Sequence, residues 1–141
     1  MIRVVLDTNI IVSALLQPLG PPARVFVLAL GGGFQLCVSA KIYAEYEEVI
    51  SRARLQRSQD IIASTLQTIR EKGFWVRPAE RIRVCPDPDD DIFLECAQAA
   101  QADYLVTGNI KHFPTSWART RIVTARWLLD NLLADRSRET S

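Results

Sequence analysis

Ile2-Arg3-Val4-Val5-Leu6-Asp7-Thr8-Asn9-Ile10 opens the chain as a short apolar run that stops abruptly on an acid and two small polar residues. A run this short, rich in β-branched residues and without polar alternation, predicts a strand buried on both faces, as in a parallel sheet. The pattern then repeats along the chain. A helical stretch follows to about residue 16. Prolines in 17–22 lead into a second helix over 23–30, which Gly31-Gly32-Gly33 stops. Residues 34–38 read as a second strand, and Ser39 is a good N-cap for a helix to about Ala53. Another helix is expected over 58–72, and short extended pieces at 74–76 and 82–84. A Pro86-Asp87-Pro88-Asp89 turn comes before a helix over 90–101. Strands at 104–107 and 122–123 and a helix over 125–133 complete the series. Strands alternating with helices of this length predict an α/β fold with right-handed crossovers, a mostly parallel central sheet and helices on both faces.

The length of 141 residues suits one domain, read here as residues 1–134 followed by a polar tail, 135–141. Hydrophobic residues make up 48% and charged residues 23%, and no apolar stretch approaches the roughly 20 residues of a membrane-spanning helix. The expectation is a soluble protein that does not engage a membrane. The N-terminus runs straight into a strand pattern without the basic head and cleavage site of a secretion signal, so a cytoplasmic location is expected. Cys37, Cys85 and Cys96 are odd in number and unpatterned in spacing, which fits reduced, packed thiols better than disulfides or zinc. The net charge of +1 gives no overall basic footprint. Charge is unevenly spread, however, with the acids bunched and Arg52, Arg54, Arg57, Arg119, Arg121 and Arg126 lying elsewhere; alone, these arginines read as solvated surface.

In open parallel sheets, ligands bind beyond the carboxyl ends of the strands. Asp7 ends the first strand, Ser39 ends the second and begins a glutamate-bearing helix, Asp87 to Asp91 precede a helix N-terminus, and Thr107-Gly108-Asn109 ends a later strand. All lie at the same edge. Singly, each acid is explained by helix capping or a turn. Together they repel one another unless a cation compensates, and hard oxygen ligands of this kind suit Mg²⁺ or Mn²⁺.

Helix geometry selects among neighbouring acids. The helix after Ser39 places Ile42, Tyr43, Tyr46, Val49 and Ile50 on one face, with Glu48 opposite and Glu45 and Glu47 on the flanks. Glu45 is nearer than Glu47 to the strand edge and is the stronger candidate. In the next acidic helix, Asp91, Glu95 and Gln98 share a narrow polar face, whereas Asp90 falls on the side of Leu94 and Ala97 and should point inward. An inward acid needs a partner or a metal, which favours Asp90 over Asp91 as a ligand. Asp87 is close enough to serve as an alternative or supporting ligand. Asp103 precedes its strand, at the opposite edge, and is assigned no chemistry.

Other chemistries lack their residues. The single histidine, His112, has no companion pattern for a nucleophile triad and reads first as structural or solvated, with substrate contact as a second reading. Gly31-Gly32-Gly33 lacks the Lys-Ser/Thr ending of a phosphate loop. An aspartyl nucleophile at Asp7 would need a second acid where Asn9 stands.

Val5 to Ile10, Ser39 to Val49 with Glu45-Tyr46-Glu47-Glu48-Val49, and Asp87-Pro88-Asp89-Asp90-Asp91 continuing through Ala97 form an ordered set. Ala102 to Asn109 with His112-Phe113 completes it. In this order the chain resembles the PIN domains over nearly its whole length, in particular the VapC-like toxin ribonucleases of bacterial and archaeal toxin–antitoxin pairs. The resemblance implies a three-layer α/β/α sandwich and an Mg²⁺- or Mn²⁺-dependent ribonuclease whose acidic centre maps onto Asp7, Glu45 and Asp90. Many members of the family carry a fourth acid where this chain has Asn109, with Asp87 or Asp91 available to compensate; Thr8, inside the first motif, is a further accessory candidate. An RNA substrate, a small antitoxin that blocks the site and a homodimer are also implied. Asp7 and Asp90 are expected to hold metal, Glu45 to position it or the attacking water, and Arg52, Arg54 or Arg57 to steer phosphates. The competing expectation is a PIN scaffold that binds RNA or a protein partner without cutting.

Overall fold

The computed structural model describes residues 1–52 and 59–139. The opening run is strand β1 (Arg3–Leu6), with Val4, Val5 and Leu6 fully buried. It lies at the centre of a six-stranded sheet and pairs in parallel with β2 (Gln35–Val38) on one side and β4 (Tyr104–Val106) on the other. Beyond β2 is β3 (Phe74–Trp75), and beyond β4 are β6 (Thr120–Val123) and β5 (Ser116–Trp117), giving the order β3-β2-β1-β4-β6-β5. Only the edge strand β5 is antiparallel. This is the mostly parallel α/β/α sandwich expected from the alternation of elements.

The helices follow from local sequence. Helix α1 (Thr8–Leu16) starts immediately after Asp7, and Gly20, Pro21 and Pro22 start α2 (Pro21–Leu30) with the fixed φ that suits a first turn. Gly32, at φ +93°, then takes the left-handed conformation that turns the chain toward β2. Ser39 begins α3 (Ala40–Arg52), its hydroxyl accepting from Ile42 N at 3.3 Å. As the helical repeat predicts, Ile42, Tyr46 and Ile50 are buried while Glu47 and Glu48 are exposed. Tyr46, fully buried, donates its hydroxyl to the Leu6 carbonyl and so fastens α3 to the end of β1. Helix α4 (Gln59–Lys72) leads to β3, α5 (Asp91–Ala100) packs over β1, β2 and β4, and α6 (Ala125–Glu139) contacts α2. The expected ends of two helices, Ala53 and Ser58, fall outside the described residues.

Three local expectations change. Residues 82–84 form no strand, because their N–H groups bond to side chains of α5 instead of a neighbouring strand: Ile82 N to Glu95 Oε2 at 3.0 Å and Val84 N to Asp91 Oδ1 at 3.1 Å. Strand β5 was not foreseen; it is two residues long, and Ala118 at φ 52° turns it into β6. Helix α6 continues past residue 133 to Glu139. Among the described residues, no single helix is long and apolar enough to cross a membrane.

Candidate active site

The registers of β1 and β4 set the first part of the site. Leu6 pairs with Val106, so the next residues, Asp7 and Thr107, leave the sheet side by side at its carboxyl edge. Backbone bonds from Asp7 N to Val106 O (2.9 Å) and from Thr107 N to Val123 O (3.0 Å) fix both positions. Asp7 makes no well-aligned side-chain capping bond to α1, although the Thr8 and Asn9 amides at the start of that helix still favour its ionised form. Its Oδ2 instead accepts from the fully buried Thr107 hydroxyl at 2.8 Å, and that same hydroxyl accepts from Asn109 N at 3.0 Å. Burial pushes the Asp7 carboxyl above its usual range, against the pull of this hydrogen bond.

Glu45 arrives from α3. The Thr8 hydroxyl donates to its Oε2, joining the start of α1 to the acidic flank of α3. Burial raises the Glu45 pKa, the Thr8 bond opposes the rise, and the Asp7 and Asp89 charges add to it. Asp90 comes from a single 3-10 turn, Pro88–Asp90, that leads into α5. Its pKa is raised to about 6, first by burial and then by the charges of Asp7 and Asp87. The fold therefore brings together the three acids selected from the sequence, at electrostatic range of one another.

The accessory candidates separate. Asp87 Oδ1 accepts from Asp89 N at 2.9 Å, capping the turn that presents Asp90. Asp91, expected on a solvated polar face with Glu95, is 5% exposed, and Glu95 is 7% exposed. The 82–85 segment lies over both, and Asp91 Oδ1 accepts from Val84 N and, at 2.8 Å, from Cys85 N. Asp90, expected to be the inward acid, stands half-buried at the rim. Asn109 is exposed, and the neighbouring loop is tied back by Gly108 N donating to Asn9 Oδ1 at 3.2 Å. Asp103, as expected, does structural work at the far edge, accepting from Arg3 N and Arg119 Nη2.

Two further contributors appear: His112, for which substrate contact is the second reading from the sequence, and Thr107, which the sequence marks only as a strand end. His112 Nδ1 lies 3.9 Å from Asp90 Oδ2, and its charge opposes the rise in the Asp90 pKa. Thr107 is the hydroxyl that orders Asp7; the only signal for it was its place at a strand end beside that acid. Arg52 sits roughly 10 Å along α3 beyond Glu45 at 1.5 Å per residue and pairs with Glu48 at 3.4 Å. Arg54 and Arg57 lie outside the described residues.

The donor chemistry of the cluster fits a hard divalent cation: carboxylate and hydroxyl oxygens, and acids whose charges disfavour one another. Among the described residues no group of three His, Cys, Asp or Glu side chains is gathered closely enough to enclose one ion.

Comparison with known proteins places this arrangement in context. The chain is 27% identical over 111 residues to the uncharacterised protein MJ1680 of Methanocaldococcus jannaschii, covering 77% of this chain and 71% of that protein. Its fold is similar to that of VapBC2 from Rickettsia felis, solved bound to a DNA fragment from its promoter, with a TM-score of 0.58 and 18% identity over 86% of this chain and 97% of that one. It is also similar to VapBC-1 from nontypeable Haemophilus influenzae, with a TM-score of 0.53 and 17% identity over 79% and 90% of the two chains. The family model described as PIN domain matches residues 3–111, from the first strand through the turn that carries Asn109, and the chain belongs to that family.

Proposed function

We propose that this chain is a divalent-metal-dependent endoribonuclease, the toxin of a toxin–antitoxin pair. The observation that carries the reading is the convergence of Asp7, Glu45 and Asp90 from three separate elements, with the Asp7 charge helping to raise the pKa values of both partners. Acids that only capped their own helices would not need to share one edge.

In this reading Asp7 and Asp90 hold Mg²⁺ or Mn²⁺. When bound, the ion lowers the pKa of water and offsets charge on the scissile phosphate. The Thr107 hydroxyl keeps one Asp7 oxygen fixed. Thr8 does the same for Glu45, whose Oε1 carries no hydrogen bond among the described residues and is free to orient the attacking water. His112, beside Asp90 and largely exposed, is placed to meet a phosphate oxygen. Water then adds to phosphorus, the ester P–O bond breaks, and a proton passes to the departing oxygen.

Incubating labelled single-stranded RNA with Mg²⁺ or Mn²⁺ tests this directly. The wild type should cut and Asp7→Asn should not, although both fold; equal cutting by the two would sink the proposal. Two observations favour a non-cutting PIN scaffold: Asn109 supplies no charge, and among the described residues no three acids enclose an ion. Calorimetric titration with Mn²⁺ decides between the readings, since a chain that binds none cannot use this chemistry. The VapBC assemblies of similar fold support a small partner protein for this chain, and a homodimer belongs to the same proposal.

A further inference from the structure

Beside the carboxylates the 76–88 segment leaves a trench. One cavity, of about 530 Å³, is lined by Lys41, Arg81, Arg83, Pro88 and Asp91 among others; a second, of about 510 Å³, includes Lys41, Val76, Arg77 and Arg81. They share Lys41, Arg81 and Glu95, so they adjoin one another. Lys41 stands one helical turn before Glu45 on the same face of α3 and lines both cavities, at their junction. Pro88 belongs to the turn that presents Asp90.

The charges of this trench are unequal in freedom. Its acids are engaged: Glu95 accepts from Ile82 N and lies 3.9 Å from Lys41 Nζ, Asp91 accepts from Val84 and Cys85 N, and Glu80 accepts from Gln98 Nε2 at 2.9 Å. Arg77, Arg81 and Arg83 are exposed and have no acidic partner within 4.0 Å among the described residues. Burial of Ile82, at 7% exposure, turns its two neighbouring arginines outward together. A chain with a net charge of only +1 thus concentrates unpaired guanidinium groups along one path. Trp75, just before this segment and 42% exposed, lies outside both cavities: its ring rests against Tyr43, and its Nε1 donates to the Arg70 carbonyl at 3.1 Å.

Guanidinium groups in a row match phosphates, and the trench opens beside the turn that presents Asp90, where the nuclease reading puts the scissile phosphate. We propose that this trench takes the phosphodiester backbone of single-stranded RNA, with Arg77, Arg81, Arg83 and Lys41 on successive phosphates. The inference rests on the nuclease reading of the adjoining acids and names how their substrate reaches them. Lys41 joins the track by exchanging its long contact with Glu95 for a phosphate.

The test is fluorescence anisotropy of a labelled oligouridylate with the full chain in EDTA, where cutting is suppressed. Arg81→Glu combined with Arg83→Glu should weaken binding by about tenfold or more, and should reduce the slope of log affinity against log salt by about 1.4 for two lost phosphate contacts. Replacing both arginines with lysine should retain that slope. Arg24→Glu combined with Lys72→Glu, the same charge change elsewhere, should leave affinity within about threefold. Unchanged binding in the Arg81/Arg83 variant, displacement by polyglutamate as effective as by RNA, or duplex RNA bound as tightly as the single strand would each overturn the track. If the wild type cuts RNA while indifferent to Arg81 and Arg83, only the track fails. If it binds through these arginines but never cuts with Mn²⁺, only the nuclease reading fails.

Discussion

Thr107 controls the state of Asp7 with one hydroxyl. It is fully buried and supplies the hydrogen bond that favours the ionised form of a carboxylate that burial disfavours. Thr107→Val keeps the shape and removes the donor, so urea unfolding at neutral pH should show a loss of about 1–3 kcal/mol, with Thr107→Ser restoring most of it. Asp90 sets a pH dependence of definite sign. At low pH it is protonated in both folded and unfolded chains. Between its ordinary value of 3.8 and about 6, the unfolded chain ionises while the folded chain keeps its proton, so stability of the metal-free protein falls as pH rises through that window. The loss attributable to Asp90 is about 1–2 kcal/mol after allowance for solvent at the rim, and Asp90→Asn should flatten the curve between pH 4 and 7. An unchanged slope in that variant would contradict the assignment. The positions of Asp7 and Glu45 were readable because strand ends and helix faces are short-range properties, whereas the helix-face argument that made Asp90 the inward acid did not hold, since the 82–85 segment buries Asp91 and leaves Asp90 at the rim. Thr107 was legible only as a strand end at that edge and His112 only as a second reading of substrate contact, since a strand threonine and a lone loop histidine acquire their partners from neighbours distant in sequence.

At the scale of elements, α5 and the 82–85 segment show where sequence patterning misleads. Asp91, Glu95 and Gln98 form a polar stripe on α5, and such stripes usually face water. Here an irregular segment covers the stripe, and its N–H groups are satisfied by carboxylates instead of a strand, so both the missing strand and the buried acids have the same cause. A sequence pattern reports that the face is polar, not what lies on it. Removing the acceptor exposes the arrangement: Asp91→Ala leaves the Val84 and Cys85 N–H groups without their partner and should cost about 2 kcal/mol or more. Hydrogen exchange should quicken at those two amides before the sheet amides respond. Uniform quickening across the chain would mean that the segment is not held in this way. By contrast, the apolar face of α3 came out as its helical repeat predicts, because Ile42, Tyr46 and Ile50 need only a hydrophobic neighbour and the sheet provides one.

At the scale of the molecule, parallel order does the assembly. Five strands run one way, so residues far apart in the chain reach the same edge, and a carboxylate from β1, one from α3 and one ahead of α5 meet without any local sequence signal joining them. That convergence carries an electrostatic penalty in the folded state that a divalent ion would relieve, which couples metal binding to stability. Mn²⁺ at about one hundred times its dissociation constant should stabilise the folded chain by about 2.7 kcal/mol. Because Asp90 has a pKa of about 6, binding near pH 6 should also release protons, and calorimetric heats should depend on the ionisation enthalpy of the buffer. At pH 8, where that acid is already ionised, the dependence should fade. Asp7→Asn should remove both the thermal shift and the proton release, whereas Arg81→Glu should leave them intact, because the trench acts on RNA and not on the ion. A shift that survives in Asp7→Asn would place the metal elsewhere and separate this acidic edge from the chemistry proposed for it.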